Sequence, residues 1–246
     1  MLVALLSLAR PADAQEAPTV TPYRPTVSTP AELSVPGYLE FELGALTAPG
    51  PARRDSLPYT AKLAFDEDWG LRVGGDAWVR NRATAGPGPT GPGDTSIVLK
   101  HRIELSEESA WGWELGCNLP TGRAGIGAGT TAYSLTGIYS RDFGASHLDL
   151  NLGATRSDST DAATGRVATA WALALSHAVD ERWELAVEYS GARQRGVPTS
   201  GQALFAVSYS VSRSLVIDAG VARNVISGTV APAVFTGFTI LGPQLF

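Results

Sequence analysis

The chain has a single cysteine, Cys117, among its 246 residues. An internal disulfide framework and a cysteine-based zinc site are therefore both excluded, because each needs several thiols. Charge is sparse: Asp, Glu, Lys and Arg make up 17% of the chain, against roughly 25% in soluble domains. No stretch approaches the roughly 18 consecutive apolar residues that a spanning helix needs, so any membrane crossing has to be built from strands. Positive charge is neither in excess nor clustered. The formal net charge is -5 and the Lys and Arg residues stand singly, which leaves no stripe to track phosphates and excludes nucleic acid as a partner. No grouping of ligand residues suggests a metal. Residues 86–93 have the glycines of a phosphate loop, but they lack its lysine and its strand-loop-helix setting, and their prolines remove amide donors. No cofactor is implied.

The chain opens with a short apolar run, Met1 to Ala9, followed by Ala12-Asp13-Ala14 and Gln15. That small-x-small pattern predicts a cleavable signal peptide over residues 1–14 and export. Arg10 follows the apolar run instead of preceding it, and the rival reading is a short N-terminal strand or core helix. Residues 15–36 contain prolines at 18, 22, 25, 30 and 36, a density that forbids a helix interior or a central strand and predicts an extended, irregular segment.

From residue 37 to 246 the pattern has period two, the mark of strands with unlike faces. Leu39, Phe41, Leu43 and Ala45 alternate with Glu40, Glu42 and Gly44; Trp111, Trp113, Leu115 and Cys117 alternate with Gly112, Glu114 and Gly116. About twelve such segments of roughly ten residues recur, the length a tilted strand needs to cross hydrocarbon. Short polar turns at 66–68, 106–109, 142–144, 180–181 and 212–213 alternate with longer loops at 47–54, 81–93, 121–130, 156–165, 194–200 and 225–231. Such alternation predicts an all-β, up-and-down antiparallel transmembrane barrel, with its last strand near 232–241. Trp69, Trp111 and Trp183 follow short turns, and Tyr139 and Tyr209 precede them, all on the apolar face, as an interfacial belt requires. A soluble barrel or sandwich, the alternative, would scatter them without regard to loop length.

If the apolar face meets lipid, the other lines the lumen: Glu40, Glu42, Lys62, Arg72, Asp76, Arg80, Asp94, Lys100, Arg102, Glu104, Glu114, His147, Asp149, Glu184, Glu188 and Asp218. These charges either neutralise one another across strands or set the bore of a wetted path. A twelve-stranded barrel has a narrow lumen. The 15–36 segment is then either a lumen plug, with Arg24 and Glu32 meeting charged wall partners, or a periplasmic tail. An enzymatic reading has little to stand on: Ser176 and His177 are adjacent on a strand and point to opposite faces, and His101 lies on the apolar face near a short turn. The chain reads as no enzyme.

Four strings resemble the outer-membrane family named for the meta-pathway of phenol degradation: Arg24-Pro-Thr-Val-Ser-Thr-Pro-Ala31, Gly93-Asp-Thr-Ser-Ile-Val-Leu-Lys-His-Arg102, Leu119-Pro-Thr-Gly122 and the terminal Phe246. The resemblance implies an outer-membrane transporter linked to uptake of aromatic or other hydrophobic compounds. It implies inward roles for Asp94, Lys100 and Arg102, a hairpin end shaped by Pro120 and Gly122, and a C-terminal signal for the barrel-assembly machinery. Gly242-Pro243-Gln244 departs from it by interrupting the alternation before Phe246. The function expected is passive passage of a small-molecule solute through a barrel held in outer-membrane lipid. The alternatives are a structural or adhesive barrel, or a lipid-modifying enzyme.

Overall fold

The alternation is realised as thirteen strands in a computed structural model, which describes residues 18–50, 53–82, 87–158, 163–227 and 231–246. The signal peptide read over residues 1–14 lies outside the described residues. In chain order the strands are β1 (Tyr38–Ala48), β2 (Arg53–Ala64), β3 (Trp69–Arg82), β4 (Pro87–Gly91), β5 (Thr95–Ser106), β6 (Ser109–Leu119), β7 (Ala132–Phe143), β8 (Ser146–Ser157), β9 (Val167–Ala178), β10 (Trp183–Gln194), β11 (Val197–Ser212), β12 (Leu215–Ile226) and β13 (Ala233–Gln244). Each strand pairs with the next in the chain except β4, which pairs only with β3; β3 also pairs directly with β5, and β13 returns to β1. The result is a closed antiparallel barrel of twelve strands; β4 is a short flap on the outer end of β3.

Burial is inverted relative to a water-soluble protein. Lys62 and Glu40 are 2% and 0% exposed, whereas Leu115 and Leu152 are 53% and 60% exposed. Polar side chains fill the inside and aliphatic ones coat the outside, the only stable arrangement when the surroundings are acyl chains. At the short-turn rim the outer coat becomes aromatic. Trp111 leans on Tyr139 and Trp183 on Tyr209, with centroids 5.4 and 4.7 Å apart, and His101 stacks on Trp69 at 4.2 Å. Two of these turns share one design, Asp66-Glu-Asp-Trp69 and Asp180-Glu-Arg-Trp183. The Asp carboxylate accepts the amides two and three residues on, at 2.7–2.9 Å, and the residue before it donates to the Trp carbonyl. Those two amides hold the exposed Asp180 carboxyl below its ordinary range.

Several boundaries differ from expectation. The loop expected at 194–200 is a two-residue turn, Arg195-Gly196, where Gly196 adopts φ +78° and lets β10 and β11 run on. Of the stretch 47–54, β1 runs on to Ala48 and β2 begins at Arg53, and the supposedly irregular stretch near residue 87 contains β4. The last strand continues through Pro243 to Gln244, because a bulge opposite Leu39 absorbs the residue that cannot donate to the ladder. A bulge at Ala77 reverses the faces of β3 beyond it, so Trp78 sits opposite Leu57 and Arg80 opposite Asp55. Arg80 therefore points outward and is not a lumen residue, contrary to the strict alternation.

Leu173 lies near the middle of β9 and on the outer face. Leu173→Arg is expected to lower the unfolding free energy by about 2–4 kcal/mol, measured by denaturant titration in lipid vesicles, while the inward-facing Ala174→Ser costs much less.

Candidate functional site in the lumen

Residues 18–36 lie inside the barrel. Their prolines lack N–H groups and break any ladder, so the amides that remain need acceptors from elsewhere. The segment enters at the short-turn rim, where the Val20 amide donates to the Arg213 carbonyl. It climbs past Glu40, which accepts Thr21 N–H, and Glu42, which accepts Tyr23 N–H at 2.7 Å. Its tip lies at mid-height, where Glu188 Oε2 accepts both Val27 and Ser28 N–H at 2.8 Å. Asn151 closes a reciprocal pair with Thr29, accepting its N–H at 2.7 Å and donating to its carbonyl at 2.9 Å. The descent places Ala31 N–H on Ser140 Oγ and Leu33 over Gly70, and ends at a bridge between Pro36 and Ala64 back at the rim.

Salt links add to these amide contacts. Arg24 grips Asp218 through Nε and Nη2 at 3.0 and 2.8 Å, the two-pronged geometry a guanidinium favours. Lys62 sits between Glu40 and Glu42 at 3.0 and 2.7 Å, and also donates to the Thr21 carbonyl. Arg72 pairs with Glu114 at 2.8 Å, and Lys100 donates to the Pro30 carbonyl. The Tyr23 ring lies among these cations, with Lys62 Nζ and Lys100 Nζ 4.0 and 4.1 Å from its centroid and the Arg72 guanidinium 5.7 Å away. The Tyr23 hydroxyl donates to the Glu32 carbonyl at 2.8 Å.

Long cations on β2, β3 and β5 face small residues across the bore. Ala172, Ala174, Ala186, Ala206 and Ala222 are buried inward on β9 to β12, leaving space on that side. A cavity of about 910 Å³ opens at the short-turn side of the segment, and one of about 430 Å³ lies beyond its tip toward the long loops. The first is lined by Glu32, Asp142, His147, Asp149 and Glu184, among others. There His147 Nδ1 contacts Asp142 at 2.6 Å, its Nε2 contacts Asp149 at 3.0 Å, and Glu32 lies 4.0 Å away. Ser140 Oγ donates to Asp149 and not to His147. His177 binds Ser146 across the β8–β9 pair at 2.8 Å, on the exposed side.

Of the residues singled out in the sequence, Glu40, Glu42, Lys62, Arg72, Lys100, Glu114, Asp149, Glu188 and Asp218 converge around the segment. Arg24 reaches Asp218; Glu32 reaches only the edge of the His147 cluster. Asp76 pairs with Arg54 at 2.7 Å toward the long loops, and Arg102 with Glu104 at 3.1 Å near the opposite rim. Asp94 is occupied by a loop, accepting Gly122 and Ala128 N–H at 2.9 and 2.7 Å. Sequence reasoning did not single out Tyr23, Ser140 or Asn151. The last two stand on inward positions of their strands, a signal that was available; nothing in the sequence marked the ring among the cations.

The family model described as "Putative MetA-pathway of phenol degradation" matches residues 57–233. No curated protein matches the chain in sequence. Among solved structures, the COG4313 outer membrane channel from Pseudomonas putida F1 is similar at a TM-score of 0.70 and 12% identity, covering 86% of this chain and 97% of that one. NanC porin aligns at 0.60 with 8% identity over 83% of this chain and 100% of its own, and KdgM porin at 0.58 with 8% over 81% and 98%. At such identities the likeness concerns the fold.

Lys62 is the test of the network, because removing it leaves two buried carboxylates side by side. Lys62→Met is expected to cost about 3–5 kcal/mol of unfolding free energy, as for other broken buried ion pairs. Adding Glu40→Gln and Glu42→Gln is expected to recover most of that loss in the same denaturant titration.

Proposed function

The chain belongs to the MetA-pathway of phenol degradation family, and from that premise and the geometry of the lumen we propose that it is an outer-membrane channel with a built-in plug. Export by a signal peptide in residues 1–14, insertion by the barrel-assembly machinery and residence in outer-membrane lipid complete this reading. Residues 18–36 close the bore, and small molecules pass, without an energy source, when the segment shifts. The observation that carries the proposal is the pair of cavities separated by a segment held mostly by hydrogen bonds and ion pairs. Such contacts exchange readily with water, unlike a packed apolar core.

Small aromatic molecules are among the solutes that the lumen suits. Tyr23 is itself a phenol held among three cations, and a free ring entering the space it leaves meets the same groups. A catalytic role is disfavoured by hydrogen-bond order: the Ser140 hydroxyl faces a carboxylate instead of a histidine base. One observation favours a second reading, a closed structural barrel: at least four wall side chains take amides of the segment directly.

A cross-link separates the two. A Cβ placed on Gly112 lies 3.5 Å from the Ala31 Cβ, within disulfide reach. With Cys117→Ala as background, Ala31→Cys combined with Gly112→Cys is expected to show several-fold lower single-channel conductance when oxidised, restored by reductant. Equal conductance in both states removes the plug, and none in either state favours the structural barrel.

A further inference from the structure

The inward wall from β9 through β13 has a charge pattern the rest of the lumen lacks. Its charged side chains are Glu184, Glu188 and Asp218, and among the described strand residues it presents no inward cation. Elsewhere the wall sets a basic side chain beside its acids: Lys62 between Glu40 and Glu42, Arg72 and Lys100 facing Glu114, and His147 against Asp142 and Asp149. Arg182 and Arg213 belong to rim turns at the mouth of the larger cavity. The acidic arc is satisfied from the segment instead. Asp218 takes the Arg24 guanidinium, and Glu188 takes two amides on one oxygen. The other oxygen of Glu188 is buried with no hydrogen-bond partner, on a residue only 4% exposed. That carboxylate, on an inward position of β10, retains accepting capacity.

We infer that the unplugged lumen is cation-selective, and that solutes bearing an ammonium or guanidinium group bind Glu188 and Asp218 in place of the segment's own donors. The inference rests on the plugged-channel reading. Arg24 on Asp218 is a tethered copy of such a solute, and the paired amides on Glu188 present two N–H donors much as an ammonium group does. Once the segment leaves, Lys62 stays between Glu40 and Glu42 and Arg72 on Glu114, with Lys100 3.9 Å from Glu114; the arc, which has no wall cation of its own, is free to compensate mobile cations.

The full chain in planar bilayers under a tenfold potassium chloride gradient tests this. The expected reversal potential has the sign for potassium, with a permeability ratio over chloride of about threefold or more. Arginine amide is expected to swell channel-containing liposomes faster than glutamate. Glu188→Gln with Asp218→Asn is expected to bring the ratio toward unity, and Asp218→Glu to keep it; a heat-dependent shift in electrophoretic mobility reports that each variant is folded. A chloride-favouring potential, or a ratio unmoved by the neutral pair, overturns the inference while passage stands. Absence of conductance under every condition overturns the channel itself, and this inference with it.

Discussion

A backbone amide without a partner inside a lipid-sheathed barrel costs as much as a lost hydrogen bond, and that constraint organises this molecule. The segment before β1 carries prolines at 22, 25 and 30 among the residues that enter the lumen, so it forms no ladder of its own. Each remaining amide then has to find an acceptor on the wall. Glu40, Glu42, Glu188, Asn151 and Ser140 stand where the amides of Thr21, Tyr23, Val27, Ser28, Thr29 and Ala31 arrive. Buried wall carboxylates are tolerable for the complementary reason, since each needs donors that lipid does not supply.

The barrel was legible because its signal is repeated. One alternating segment fits any half-buried strand, but a dozen of them punctuated by short polar turns leave few architectures, and the aromatic positions Trp69, Trp111 and Trp183 agree with the rim where they lie. The differences from expectation are all local. Strict parity points Arg80 inward, and a single extra residue at Ala77 reverses it. Residues 194–200 are rich in Gly, Pro, Ser and Thr and read as a loop, yet cross-strand pairing to β10 carries β11 through Val197–Ser200.

The site was legible by face and not by partner. Period two separates inward charges from outward aliphatics, so most of the lumen-lining acids and bases could be named. Which of them touch is decided across long sequence separations: Arg24 meets Asp218, and Ser28 meets Glu188. No local pattern encodes that distance. The same holds for Tyr23, whose surroundings assemble from β2, β3 and β5 only when the cylinder closes.

The path of the segment has a mechanical consequence. It goes in past Arg213 and comes out at Ala64, both on the rim of short turns, with its bend near Glu188. It is a hairpin with both legs at one rim, so withdrawing it never requires threading an end through the bore. Traction on the chain ahead of residue 18 peels the contacts one after another, from Glu40 toward Asp218 and Glu188, while the leg anchored at Pro36 stays fixed to the cylinder. Force applied from that rim unzips the hairpin; a push from the opposite rim loads all its contacts at once.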